Sequence, residues 1–141
     1  MVIRIKKVHP EAHLPAYAYG PGEDAGLDLR AVETVTLAPG SAQSVATGLA
    51  VEIPKGYEGQ VRPRSGMCLQ HSVTANFGTI DPGYRGEIRM VMFNFGRADY
   101  TIAIGDRIAQ LVLAHYEPVV WEEGDLGPSE RGVRGFGSSG P

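Results

Sequence analysis

The sequence holds a single cysteine, Cys68, so neither an intramolecular disulfide nor a cysteine-rich zinc site can form. This favours a reducing compartment, and a buried, inert thiol is the expectation for Cys68. An excess of positive charge is also missing. Thirteen Lys and Arg stand against sixteen Asp and Glu, a formal net charge of −3, which leaves no general basic field for gripping duplex nucleic acid. Any phosphate chemistry must be local. No apolar run approaches the ~20 residues of a membrane span, and Met1-Val2-Ile3-Arg4-Ile5 is too short and too alternating for a signal peptide. A cytoplasmic protein with no membrane attachment and no nucleic-acid partner is expected. His9, His13, His71 and His115 are scattered, without metal-ligand spacing such as His-Glu-x-x-His, and no internal repeat is visible.

What the sequence does hold is turn-formers. Nineteen glycines and ten prolines among 141 residues punctuate short β-branched runs and leave little room for helices, an all-β pattern in one domain. From Val45 to Ile53, Val45, Thr47, Leu49, Val51 and Ile53 alternate with the other face, which predicts one half-buried strand. Ile88 to Phe95 and Ile108 to Leu113 are candidates for central strands, being apolar on both faces along much of their length. Further strands are expected at Val2 to Lys7, Val32 to Leu37, Tyr57 to Arg62 and Tyr100 to Ile104. Many short strands imply a sandwich or jelly-roll barrel. At most one short helix fits, through Met67 to His71, with Ser65 as its cap. Trp121 is expected to anchor the last ordered strand. From Glu122 onward the chain is glycine-rich and apolar-poor, so residues 1–121 are expected to form the barrel domain and 122–141 an arm that orders on a partner or ligand.

Five segments carry chemistry. Gly78-Thr79-Ile80-Asp81-Pro82-Gly83-Tyr84-Arg85-Gly86-Glu87 sets a carboxylate three residues before a tyrosine, a pairing able to bring a water-activating base and a flat ring against a sugar. By itself it reads equally as an ordinary β-turn with a core tyrosine. In Arg62-Pro63-Arg64-Ser65-Gly66 the glycine permits close backbone approach, the serine offers a hydroxyl and an amide, and Arg64 a cationic fork; a short helix start adds amides, making an anion cradle. Ala25-Gly26-Leu27-Asp28-Leu29-Arg30-Ala31 and Gly105-Asp106-Arg107-Ile108-Ala109-Gln110-Leu111 are an acidic strand start and a tight turn into a buried strand. Arg131-Gly132-Val133-Arg134-Gly135-Phe136-Gly137-Ser138-Ser139-Gly140 is a glycine-rich tail that by itself reads as a disordered one.

In their order along the chain, from Ala25 to Gly140, the segments resemble the first to fifth motifs of the trimeric deoxyuridine triphosphatases (dUTPases). The resemblance implies that family's β-clip jelly-roll and a homotrimer with three sites at subunit interfaces. Motifs one, two and four would come from one subunit, the third from a second, and the fifth from a third subunit's exchanged C-terminal arm. It implies hydrolysis of dUTP to dUMP and pyrophosphate, which limits uracil incorporation into DNA and supplies dUMP for thymidylate synthesis. Asp28 would hold Mg²⁺ through water. Ser65 would lie near the α,β-bridging oxygen, with Arg64, Gly66 and Gln110 at the phosphates and Arg107 bracing the site. Asp81 would be the general base and Tyr84 would pack on the deoxyribose. Asn76, Phe77, Gly78 and Ile80 belong to the hairpin that reads uracil through its main chain. Arg131 would clamp the γ-phosphate, Phe136 would stack on uracil, and Gly137, Ser138 and Ser139 would offer amides and hydroxyls. Where the family usually has glycine, this chain has Arg134. A positive φ there would cost arginine about 1 kcal/mol or more; alternatively arginine adds a phosphate contact. Two rival functions share the fold. A dCTP deaminase resembles Arg-Ser-Ser at the second motif, where Gly66 stands here. A non-enzymatic nucleotide-binding regulator is the other.

Overall fold

The computed structural model describes residues 1–135 of the chain. Its strands are β1 (Arg4–Lys7), β2 (Leu27–Arg30), β3 (Val35–Leu37), β4 (Ala42–Ala46), β5 (Leu49–Glu52) and β6 (Tyr57–Arg62), then β7 (Val73–Ala75), β8 (Gly78–Ile80), β9 (Arg89–Asn94), β10 (Tyr100–Ile102) and β11 (Arg107–His115), with one helix, α1 (Ser65–His71), between β6 and β7. Every pairing between strands is antiparallel. The sheets run β2-β11-β6-β8, β4-β9-β7, β1-β5 and β3-β10, and residues of all four meet in one apolar core that includes Leu29, Leu37, Leu49, Met92 and Ile108. The fold is the all-β jelly roll expected from the turn-rich sequence. No helix among the described residues is long and apolar enough to cross a membrane.

The run from Val45 to Ile53 is not one strand. All five residues of its expected inner face are buried, but the chain breaks between β4, which pairs with β9, and β5, which pairs with β1. The cause is Gly48, at φ +66°, where an added Cβ would lie 2.7 Å from His9 Cβ, 2.9 Å from Ala12 Cβ and 3.1 Å from Val32 Cγ1. Its N–H donates to Glu87 Oε1 at 2.8 Å, and the adjacent Thr47 hydroxyl donates to Ile88 O at 2.6 Å. A side chain here meets both an unfavourable backbone region and a filled space, so Gly48→Ala is expected to cost about 2 kcal/mol or more. Denaturant titration checks this; an unchanged midpoint would mean that the break is set elsewhere.

Three local expectations are corrected. Ser65 does not cap α1: Arg64 occupies the cap position without a side-chain bond, and Ser65 is the first helical residue. Cys68 is exposed rather than buried, because α1 lies on the surface and turns only Met67 inward. Trp121 anchors no strand. It is 89% exposed, since β11 ends at His115 and Pro118, with no N–H to donate, follows three residues later.

Candidate active site

Asp28 sits in β2 opposite Gln110 of β11, which in turn faces Arg62 of β6, so three polar side chains share one row and one face of the central sheet. Asp28 is the charged residue drawn furthest inward, at 7% exposure. Two cations hold it: Arg107 Nη1 donates to Oδ2 at 3.2 Å, and Arg64 Nε lies 3.3 Å from Oδ1. The second contact has the distance of an ion pair but not the direction of a hydrogen bond. Asp28 Oδ1 therefore stays a buried acceptor with no hydrogen-bond partner among the described residues, an arrangement that costs free energy unless another donor fills it.

Arg64 is pinned a second time, Nη1 donating to Arg107 O at 3.2 Å. Its guanidinium joins the residue before α1 to the start of β11 and faces a pocket of about 400 Å³ shared with Gly66, Gln70, Asp106 and Arg107. Ser65 is exposed beside it. Nothing lies within 4 Å of a Cβ placed on Gly66, so the backbone there is open to a ligand. Gln110 lies over Gly26, where an added Cβ would meet its Oε1 at 2.9 Å. Arg30 donates to Gly105 O at 2.6 Å and Ala103 N–H to Asp106 Oδ2 at 2.9 Å, which fixes the turn into β11. Asp106 is half-buried there. Burial and the Asp106 carboxylate raise the Tyr100 phenol above its ordinary value, keeping that pocket wall uncharged near neutrality.

Asp81 opens a β-turn in which Tyr84 N–H donates to Asp81 O at 3.0 Å. Proline fits its second position, and Gly83 is not at positive φ, so the turn is not type II. The Asp81 carboxylate is exposed at its rim. Asn76, Gly78, Ile80, Asp81 and Tyr84 line a second pocket, of about 280 Å³. Asn76 exchanges backbone and side-chain bonds with Val91, its N–H donating to Val91 O at 2.8 Å and its Oδ1 accepting Val91 N–H at 3.2 Å. The strands that flank this stretch, β7 and β9, pair antiparallel, while β8 within it joins β6.

The structure thus brings Asp28, Arg64, Gly66 and Gln110 into one region and Asn76, Gly78, Ile80, Asp81 and Tyr84 into another. The two pockets share no lining residue. Residues 116–135 form no strand and are exposed apart from partly covered Tyr116. Arg131 and Arg134 clasp reciprocally, each Nε donating to the other's carbonyl at 2.9 Å. The positive φ lies at Gly132, and Ser72 is the positive-φ non-glycine residue among those described, so Arg134 carries no such strain. Phe136, Gly137, Ser138 and Ser139 lie outside the described residues.

Sequence reading passed over Arg85, which staples the turn. Its Nη1 donates to Pro82 O at 2.7 Å and Tyr84 O at 2.9 Å, while Nη2 lies 3.6 Å from Glu52 Oε1. An exposed arginine beside a turn gives no signal of that in sequence.

Among known proteins, the profile of the dUTPase family matches residues 11–140. Deoxyuridine 5'-triphosphate nucleotidohydrolase of Solibacter usitatus is 60% identical over 99% of this chain and 97% of its own. The enzyme of the same name from Anaeromyxobacter is 52% identical over 99% and 95%. The dUTPase of Staphylococcus bacteriophage 80alpha, solved with dUpNHpp, superposes with a TM-score of 0.91 at 30% identity over 99% of both chains. With a family profile spanning nearly all of it and close relatives matched end to end, the chain belongs to the dUTPase family, the deoxyuridine 5'-triphosphate nucleotidohydrolases.

Proposed function

We propose that the chain hydrolyses dUTP to dUMP and pyrophosphate, limiting uracil in DNA and supplying dUMP for thymidylate synthesis. The observation that carries this reading is the Asp81–Tyr84 turn, which sets an exposed carboxylate and a tyrosine ring on the rim of a pocket walled by the Asn76–Ile80 backbone. Such a wall offers main-chain donors and acceptors to a base edge. Uracil and cytosine differ there by one inverted hydrogen bond, and an unpaired buried group makes the mismatch expensive. Asp81 takes the proton of a water that attacks the α-phosphorus in line. Oxygen forms a bond to phosphorus, and pyrophosphate leaves with the electron pair of the broken anhydride bond. Arg64, Ser65, Gly66 and Gln110 bind and neutralise the phosphates, and Tyr84 covers the deoxyribose.

Asp28 fits a water-mediated hold on Mg²⁺, because its unpartnered Oδ1 can accept from a metal-bound water. No three His, Cys, Asp or Glu side chains converge as a metal-binding group among the described residues, so phosphates and waters would supply the other ligands, as Mg²⁺ prefers. When bound, the ion would neutralise and align the phosphate oxygens.

The same reading makes the working form a homotrimer. Residues of motifs two and four line one pocket, with Asp28 of motif one held by its Arg64 and Arg107, and those of motif three line another, which agrees with a site completed by a second copy. Phe77, Phe95 and Leu69 are 76%, 71% and 88% exposed, apolar surface that association would cover. Residues 1–121 make the barrel unit and 122–141 the arm, whose Arg131, Phe136, Gly137, Ser138 and Ser139 close over γ-phosphate and uracil. The exposed, unpaired Cys68 agrees with the reducing cytoplasm.

Pyrophosphate release from dUTP, dCTP, dTTP and UTP, assayed side by side with Mg²⁺, tests the reading. Release from dUTP alone is expected. Ammonia from dCTP would assign the chain to deaminases, and no reaction with any of the four would favour a nucleotide-binding regulator.

A further inference from the structure

We propose that Gly86 is a specificity-determining residue: its bare backbone admits the Tyr84 ring, and the ring so seated excludes a ribonucleotide. The proposal rests on the substrate reading above. A Cβ added to Gly86 would lie 2.6 Å from Tyr84 Cζ and 2.9 Å from Cε2, and closer still to the phenol oxygen. The ring is thus folded over the backbone two residues ahead of it. Gly86 is not at positive φ, so its backbone is open to any residue and the need for glycine is one of space alone. The seat has a second contact: the Tyr84 hydroxyl donates to Glu87 O at 2.9 Å.

The surroundings make this seat a fixed one. The carbonyl of Tyr84 is held by Arg85, and Glu87 accepts from Gly48 N–H through Oε1 and from Arg89 Nη1 through Oε2 at 3.1 Å. The Glu87 end of the segment is therefore tied to the barrel directly and the Tyr84 end through Arg85, whose Nη2 lies 3.6 Å from Glu52 Oε1, while the ring, 45% exposed, rests on a residue without a side chain. The atoms that an added methyl would strike are the far end of the tyrosine side chain, not backbone. The cheapest response is for the ring to swing away, which leaves the fold intact and opens room above the sugar for a 2'-hydroxyl.

The test compares kcat/KM for dUTP and UTP in wild type, Gly86→Ala, Tyr84→Ala and the double variant. Gly86→Ala is expected to lower the dUTP-over-UTP preference at least tenfold while the thermal midpoint stays close to wild type. The double variant is expected to match Tyr84→Ala, since a clash with an absent ring has nothing to displace. An unchanged preference in Gly86→Ala, or a loss that adds in full to that of Tyr84→Ala, overturns the proposal while the substrate reading stands. If Gly86→Ala fails to fold, Tyr84→Ala should restore folding in the double variant; a double variant that stays unfolded overturns the proposal. A wild type unable to hydrolyse dUTP would overturn both.

Discussion

Asp81→Asn is expected to leave nucleotide binding nearly intact and to lower turnover by about two orders of magnitude or more. The amide keeps the size of the carboxylate but cannot take a proton from water. The loss should fall on kcat rather than KM, because the turn does not depend on the side chain: it is closed by the backbone bond from Tyr84 N–H to Asp81 O and stapled through Pro82 O and Tyr84 O by Arg85. Asp81 is also exposed, so the substitution buries no unpaired group and should not disturb stability. Single-turnover kinetics alongside an equilibrium binding titration separate the two quantities. Unchanged turnover would remove Asp81 from the role of base, and a parallel loss of binding would make it a ligand instead.

The second large effect is expected from removing residues 131–141. The last strand closes at His115, and no described residue beyond it is buried. Val133, the apolar residue described within 131–135, is fully exposed, so the described part of the deleted stretch contributes nothing to the apolar core, and the barrel and its association are expected to stay intact. Activity should nevertheless collapse, because Arg131 and the glycine-serine stretch leave with it, and with them the closure that excludes water and completes the charge around the phosphates. Light scattering, circular dichroism and turnover measured on one preparation decide the matter. An unfolded truncate would make the tail structural, and a fully active one would end the case for an arm that completes the site.

Much of this was legible in the sequence, for reasons particular residues make plain. Tyr57–Arg62 emerged with the expected bounds, because turn residues flank a run of strand-formers. The inner face of Val45–Ile53 was readable from its alternation, but the break at Gly48 was not, since a lone glycine in a strand pattern looks the same whether it is paired through or folded aside. Strands β2, β7 and β8 are three or four residues long, too short to hold a period; β2 and β8 were visible only within motifs, and β7 not at all. Cys68 and Trp121 misled in a common way: their types favour burial on average, yet Cys68 lies on the outer face of α1 and Trp121 beyond the last strand, both exposed. The pairing of Asp28 with Arg64 and Arg107 depends on β2, β11 and the start of α1 converging from distant parts of the chain, which spacing does not encode. Arg85 and Gly86 were hidden for a simpler reason. Each acts on its neighbour's side chain or carbonyls, and only coordinates give that.

The pairing of β11 also bears on how the protein is made. As the chain emerges from the ribosome, β2 and β6 appear early, but the strand that joins them in the four-stranded sheet begins at Arg107. Until then each has an edge without its partner, the condition in which strands recruit strands from other molecules. The central sheet cannot close before β11 has been made, and a chain cut shortly before Arg107 would carry two orphaned edges rather than form a smaller barrel. The interval before β11 arrives is therefore the stage at which a nascent chain most needs shelter.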